Sequence, residues 1–348
     1  MPLVTADELR NFARTVLVGI GLDEAGADVA GDCLVEANLR GVDSHGVLRL
    51  IQYHRSVSSG AVNPRPVIEV THSGGPTALV DAGGGYGFVP ALRAMEVAVE
   101  VAGVHGIALV GVRNSHHYGM AALYAERATA VGLIGVAMTN TGPVMAPAGV
   151  TRPIAGNNPI AFAVPRRPPA APIVLDMALS GAAFGRIRLA AAEGRPIPLG
   201  WAHDASGEPT TDAAAALAAS LLAPMGGHKG YGLSVIVEVL TGILTGSPFG
   251  SQSDAHGHLE GGVGHLFVVL RPDLFVAREV FEESVEEFVR ELKSAPARAG
   301  VEVLVPGEIE QRTRAERAIS GVPVSAELVA PLDALAQALG LAIRLPTR

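Results

Sequence analysis

The sequence predicts a mixed α/β protein, on three observations. From about residue 67, apolar strand-like runs alternate with helix-like stretches, the pattern of a sheet layered with helices rather than a helical bundle. Hydrophobic residues make up 49% of the chain and charged residues 17%, which excludes disorder from poor burial. At 348 residues the chain can bury about three quarters of the surface it exposes when unfolded, and roughly 150 residues per domain gives about two domains.

Residues 1–66 read as a helical region. Thr5 and Glu8 have capping-box spacing, and Val16, Leu17, Ile20 and Leu22 lead into a second amphipathic stretch over 25–39. Gly41-Val42-Asp43-Ser44-His45-Gly46 breaks that pattern before Val47, Leu48, Leu50, Ile51 and Tyr53 resume it, so a polar knot sits between apolar helices. The region 67–325 carries strands near 68–70, 77–81, 107–112, 134–138, 160–164, 173–176 and 267–270. Helices are expected near 89–102, 121–130 and 280–294, with a turn-rich insert over 194–212. Gly226-Gly227-His228-Lys229-Gly230 opens a helix over 231–244, and 246–262 reads as a polar loop. A C-terminal helix in the region 326–348 is expected to pack back on the N-terminal region.

The net charge of −8, with no run of Lys or Arg, argues against nucleic-acid binding. The N-terminus lacks a basic flank and apolar signal core, and the apolar stretch near 233–244 is interrupted by Glu238 and too short to span a bilayer. A single cysteine, Cys33, cannot form an internal disulfide and fits a reducing cytoplasm. Lys229 and Lys293 are the only lysines among 26 basic residues, so a retained lysine hints at a task that a guanidinium does not fill.

Candidate chemistry gathers at strand ends. No Gly-x-Gly-x-x-Gly follows a strand, because Gly83-Gly84-Gly85-Tyr86-Gly87 has Pro90 in the third position, and no Walker loop exists. A standard Rossmann domain is therefore disfavoured. Metal ligation is disfavoured too: His116 and His117 would face opposite ways on a strand, and His256-Gly257-His258 lies in a loop. Asn114-Ser115-His116-His117-Tyr118-Gly119 follows a buried strand, where an imidazole can protonate a carbonyl oxygen as hydride arrives, or merely cap the next helix. Four residues separate His45 from Arg49, placing them on one helical face beside Ser44. There the guanidinium can grip a carboxylate while the imidazole or hydroxyl meets a 2-oxo oxygen; the bland alternative is a surface helix with a capping serine. Lys229 beside glycines at a helix start suits an anion, or is part of a flexible turn. Asn140-Thr141, Asn157-Asn158-Pro159 and Asp176-Met177-Ala178 can orient a carboxamide, a ribose or a histidine, although singly each is a turn or capping residue.

Taken together, these segments resemble the malate/L-lactate dehydrogenase family, NAD(P)-dependent oxidoreductases without a standard Rossmann domain. The likeness is carried by Arg40-Gly41-Val42-Asp43-Ser44-His45-Gly46 with Arg49 and Tyr53, by 114–119, Pro147-Ala148-Gly149, Asn157-Asn158-Pro159 and Leu175-Asp176-Met177-Ala178. It continues through Ile197-Pro198-Leu199-Gly200-Trp201-Ala202, Pro209-Thr210-Thr211-Asp212, 225–232 and Pro306-Gly307-Glu308, and spans about 5–340. It implies a non-Rossmann mixed-sheet NAD(P)-binding fold with an N-terminal helical region and C-terminal helices, in a cytoplasmic homodimer. The reaction implied is hydride transfer between NAD or NADP and C2 of a small 2-hydroxy/2-oxo acid of malate or lactate type. Reduction of a cyclic imine such as piperideine-2-carboxylate or pyrroline-2-carboxylate is the alternative within the family. A metal-dependent hydrolase and a non-catalytic dinucleotide-binding protein are alternatives outside it.

By position, the resemblance implies His117, His45, Ser44 and Asp176 as catalytic residues, and Arg49 and Tyr53 facing substrate. Thr141, Asp176, Met177, Ala178 and Lys229 would contact the cofactor, with Gly307 and Glu308 as further candidates and no metal. Either His117 or His45 would pass the proton, with Asp176 partnering His45 in the second scheme. Three departures from the family pattern are His116, where Asn is usual, Arg186, where Lys or Glu is common, and Ala213, where proline is usual.

Overall fold

The Thr5–Glu8 capping box forms as read and starts α1 (Ala6–Ile20), and Asp23 caps α2 (Glu24–Leu39). The polar knot becomes two 3-10 turns, Asp43–His45 and Val47–Arg49, leading into α3 (Leu50–Ser58). This is a computed structural model, and it describes residues 2–254 and 262–346; the His256-Gly257-His258 motif lies outside them. The apolar faces of these helices form one buried cluster in which Leu9, Phe12, Leu17 and Tyr53 meet Leu332, Leu335 and Ala336 of α11 (Ala326–Ala338). A short antiparallel pairing of Leu3–Val4 with Val322–Pro323 fastens the two ends of the chain. Tyr86 and Phe88 belong to the same cluster and join it to the sheet.

The main sheet has seven strands: β1 (Glu69–His72), β2 (Thr77–Gly85), β3 (Ile107–Ser115), β4 (Ile134–Thr139), β5 (Ile160–Val164), β6 (Ile173–Met177) and β7 (Val263–Leu270). Their spatial order is β1-β2-β3-β7-β4-β5-β6. Only β2 and β3 pair in parallel, through the crossover helix α4 (Phe88–His105), and every other neighbouring pair is antiparallel. The sheet is therefore mixed. The last strand in sequence is inserted at its centre, setting Phe267 opposite Val110 on one side and Ala137 on the other. Small residues bring helices close: a Cβ on Gly135 would stand 2.2 Å from the Ala125 carbonyl oxygen, so α5 (Ala122–Thr129) rests directly on β4.

The glycine run that mimics a nucleotide fingerprint serves packing instead. β2 continues through it to Gly85, Gly83 has φ +61°, and a Cβ there would meet the Val67 carbonyl oxygen at 2.6 Å. Helices α6 (Phe184–Ala192), α7 (Ala213–Ala219) and α10 (Glu308–Ser320) were not anticipated, and the turn-rich insert holds strands of a small sheet made of Ala202–His203, Pro209–Thr210 and Leu221–Leu222. α8 (His228–Glu238) begins earlier than its pattern predicts and passes into a π-turn at Val239–Ile243. The charged helix α9 (Arg278–Ser294) is close to its expected span. No helix among the described residues is long and apolar enough to cross a membrane.

Candidate active site

A cavity of about 1070 Å³ opens between the 3-10 turns, the C-terminal ends of β3, β4 and β6, and the starts of α6 and α10. That is at the upper limit of the roughly 300–1,000 Å³ usual for small-molecule sites, room for a ligand much larger than a small acid. Ser44, His45, Arg49, Tyr53, His117, Thr141, Asp176, Met177, Ala178 and Gly307 all line it. Lys229 and Glu308 do not.

The substrate-facing end is fixed from behind by Asn38. Its Oδ1 accepts the Val47 N–H at 2.9 Å and its Nδ2 donates to Asp43 at 2.7 Å. Glycine at position 46 is what admits this side chain, since a Cβ there would lie 2.1 Å from Asn38 Oδ1. Arg317 of α10 closes the arrangement with two bonds to the Asp43 carboxylate, at 2.8 and 3.2 Å. On that frame Arg49 donates through Nε to the Ser44 carbonyl at 2.7 Å and through Nη1 to Gln52 Oε1 at 2.6 Å. The fork is thus oriented before any ligand arrives.

His117 Nδ1 lies 2.8 Å from the Tyr53 hydroxyl and accepts the Gly119 N–H at 3.2 Å. A backbone N–H can only donate, so Nδ1 is an acceptor and the neutral ring carries its proton on Nε2. The His45 ring stacks on His117 with centroids 5.5 Å apart and 16° between planes, and its Nδ1 lies 3.0 Å from Ser44 Oγ. Burial, then the nearby Arg49 charge, pushes His45 down to about 3. The same two causes in the same order, with His45 next, hold His117 well below its ordinary value. Both imidazoles are neutral near pH 7. Tyr53 is almost completely buried, and its hydroxyl serves His117 rather than reaching into the space where an acid would bind.

At the far end, the Asp176 carboxylate accepts the Ala122 N–H at 2.9 Å, capping α5, which has no side-chain cap of its own. It opens onto the cavity but is walled by protein, and burial raises its pKa to about 6, with Glu310 and Glu126 adding to the rise against the Ala122 bond. Asp176 does not partner His45, because β6 ends beside α5 whereas His45 is held by its neighbour Ser44. Thr141 and Asn157 form a second corner: Thr141 Oγ1 donates to Asn157 Oδ1 at 3.0 Å and accepts the Asn157 N–H at 3.1 Å. Behind it Asn158 accepts the Thr141 N–H at 3.0 Å, and Glu238 of α8 accepts from the amides of Asn158 and Asn140 at 2.6 and 3.2 Å. Gly307, at φ +93°, starts α10 without a side-chain cap, and a Cβ there would press on Val174 at 3.1 Å. A carboxylate and a hydroxyl–amide corner are groups that a dinucleotide's ribose and carboxamide require.

Two expected cofactor contacts fall elsewhere. Lys229 is exposed in the first turn of α8, whose start is clamped because a Cβ on Gly230 would stand 2.3 Å from the Met225 carbonyl. Glu308 turns back to its own helix start, accepting the Val305 N–H at 3.1 Å and pairing with Lys293. The second of the two lysines is thereby explained as a structural ion pair. Arg188 and Glu238 were not singled out from sequence; Arg188 follows buried Ile187 in α6, an element with no strong apolar period to mark it. Among the described residues, no three His, Cys, Asp or Glu side chains are grouped to hold a metal ion.

Comparison with known proteins agrees with this geometry. The family model described as malate/L-lactate dehydrogenase matches residues 4–333. A malate dehydrogenase from Pyrococcus abyssi is 36% identical over 346 residues, covering 97% of this chain and 95% of that protein. The structure of sulfolactate dehydrogenase from Methanocaldococcus jannaschii superposes with a TM-score of 0.90 at 35% identity, covering 97% of this chain and 98% of that one. A piperideine-2-carboxylate reductase structure from Pseudomonas syringae gives 0.87 at 32% identity, covering 97% of this chain and 100% of the other. Relatives named for NAD(+) and for NADP(+) occur in the same group. The chain belongs to the malate/L-lactate dehydrogenase family and is a dehydrogenase that works with NAD or NADP.

Proposed function

We propose that the enzyme moves hydride reversibly between its nicotinamide cofactor and C2 of a small 2-hydroxy/2-oxo acid, with Arg49 gripping the carboxylate and His117 exchanging the proton on the C2 oxygen. The observation that carries this reading is the state of His117: Nδ1 is occupied by Tyr53 and Gly119, so Nε2 is the nitrogen left to face the cavity that Arg49 shares. A bound reduced nicotinamide supplies the hydride, and its oxidised form accepts one. Arg49 positions the acid through a charge-assisted grip. The incoming carboxylate also offsets the guanidinium that helps keep His117 neutral, so the ring can take up a proton once the acid is seated. In reduction, the 2-oxo oxygen takes the Nε2 proton as the C–H bond forms, and His117 returns to neutral with the newly acquired proton on Nδ1. The Tyr53 hydroxyl accepts from Nδ1–H in one state and donates to bare Nδ1 in the other. His45 and Ser44 orient the same oxygen, and Asp176, Met177, Ala178, Thr141 and Gly307 hold the cofactor. We assign Lys229 no cofactor role within its own chain.

The test is reduction of pyruvate, oxaloacetate and piperideine-2-carboxylate with NADH and with NADPH, for the wild type and His117→Ala. Turnover of the 2-oxo acids is expected, falling about 10²–10⁴-fold in the variant with cofactor affinity kept in a fluorescence titration. Unchanged turnover would move the proton to His45, and preference for the cyclic imine would make the enzyme a reductase of that class.

A homodimer fits the surface of α8. Leu233, Ile236, Val239, Ile243 and Leu244 lie exposed along α8 and its π-turn, an apolar stripe of the kind that marks a protein interface. Light scattering should give twice the chain mass, and Ile236→Glu should halve it. A cytoplasmic setting suits a chain whose single cysteine, Cys33, is a buried free thiol.

A further inference from the structure

We propose that Arg188 is a specificity-determining residue that binds a second anionic group of the substrate, so that the preferred acid is a dianion carrying a carboxylate or sulfonate beyond C2. This rests on the hydride-transfer reading above and narrows its substrate class. One guanidinium suffices for the carboxylate of any 2-oxo acid, yet Arg40, Arg55 and Arg188 line this cavity beside Arg49; Arg40 is taken by Glu36 and Glu126, and Arg188 of α6 is the one whose charge acts on Arg49. Arg188 has no ion pair or hydrogen bond among the described residues. Most other arginines are engaged, as Arg40 is with Glu36 and Glu126, and Arg166 with Glu286. The charges of Arg49 and Arg188 act on each other, and no carboxylate is among the groups that influence Arg49.

With both histidines neutral, Arg49 and Arg188 are two positive charges that act on each other, and no carboxylate is among the groups acting on Arg49. A monoanion such as pyruvate offsets one of them. A dianion offsets both, its second group pairing with the exposed Arg188 guanidinium. Of the carboxylates that line the cavity, Glu126 is taken by Arg40, Asp176 caps α5, and Glu310 of α10 acts on Asp176 and is not among the groups that influence Arg49.

The experiment measures kcat and KM for oxaloacetate and pyruvate in the wild type, Arg188→Ala and Arg188→Lys, with the Kd of NADH for each. The wild type should favour oxaloacetate. Arg188→Ala should lower kcat/KM for oxaloacetate about ten- to a hundredfold, mainly through KM, with pyruvate changed less than about threefold. Arg188→Lys should recover part of the loss. A wild-type urea midpoint serves as proof that each variant is folded. An unchanged oxaloacetate-to-pyruvate ratio would overturn the assignment, and a loss of NADH affinity that weakens both substrates equally would give Arg188 to the cofactor's pyrophosphate instead. Absence of turnover with every 2-oxo acid and both cofactors would end the hydride-transfer reading itself, whereas turnover without discrimination sinks only the role of Arg188.

Discussion

A single backbone amide decides the resting tautomer of His117. Gly119 N–H makes Nδ1 an acceptor in the resting ring, and the Tyr53 hydroxyl is the partner that can turn to accept once Nδ1 carries a proton. Tyr53→Phe keeps the ring packed against Tyr86 and Phe88, whose centroids lie 4.5 and 5.8 Å away, and removes only that hydroxyl. The variant should lose about ten- to a hundredfold in kcat. The protonated ring loses its Nδ1–H acceptor, so its pKa falls and the pH of fastest reduction moves down; a pH–rate profile reads both. An unshifted profile would make Tyr53 a packing residue. Ser44, His45, Arg49 and His117 were legible because their chemistry is local: they lie in two short polar segments that interrupt apolar elements. Tyr53 was legible as a site residue but not as a partner of His117, because the two are 64 positions apart and nothing in their spacing encodes the bond. Lys229 stands apart from the cavity of its own chain. A rare lysine beside glycines has the right composition for an anion site, while its side chain stands outside the cavity.

At the scale of elements, hydrophobic periodicity revealed what is buried on one side and missed what is not. α10 has no buried residue and α7 is almost entirely alanine, so neither carries a helical apolar stripe. The insertion of β7 between β3 and β4 was equally hidden, since antiparallel pairing across more than a hundred positions leaves no local mark. Gly264 makes that insertion possible. A Cβ there would stand 1.8 Å from the Thr241 carbonyl oxygen, where the π-turn after α8 lies on the strand. The obstacle is backbone, which cannot rotate away. Gly264→Ala should therefore destabilise the protein by about 1–3 kcal/mol or more, seen as a lower urea midpoint. It should weaken cofactor binding as well, because Asn140 Oδ1 accepts the Gly264 N–H beside the Thr141 corner. A neutral substitution would show that the contact relaxes freely.

For the whole molecule, buried neutral histidines set an acid limit. Burial, with His116 next, takes His265 to about 3, as burial and Arg49 do for His45, against 6.5 for an ordinary histidine. His265 is fully buried with Nδ1 and Nε2 bonded to Thr139 and Ser115. Below pH 6.5 the unfolded chain binds protons that the folded one refuses, so stability is complete above that value and drains away as pH falls towards 3. Urea midpoints at pH 8, 7 and 4.5 should be nearly level between the first two and drop steeply at the third. A flat series would mean that these rings protonate without cost. The mixed α/β class was legible from strand–helix alternation, whereas the order of strands was not, because it depends on contacts that exist only once the sheet closes.

The Asn38–Asp43–Arg317 arrangement joins groups as much as 279 positions apart. The corner that reads the acid is written near the beginning of the chain and braced by a residue close to its end. During synthesis, Ser44, His45 and Arg49 leave the ribosome long before Arg317 does, and the nascent protein has no finished recognition site until its final helices have emerged.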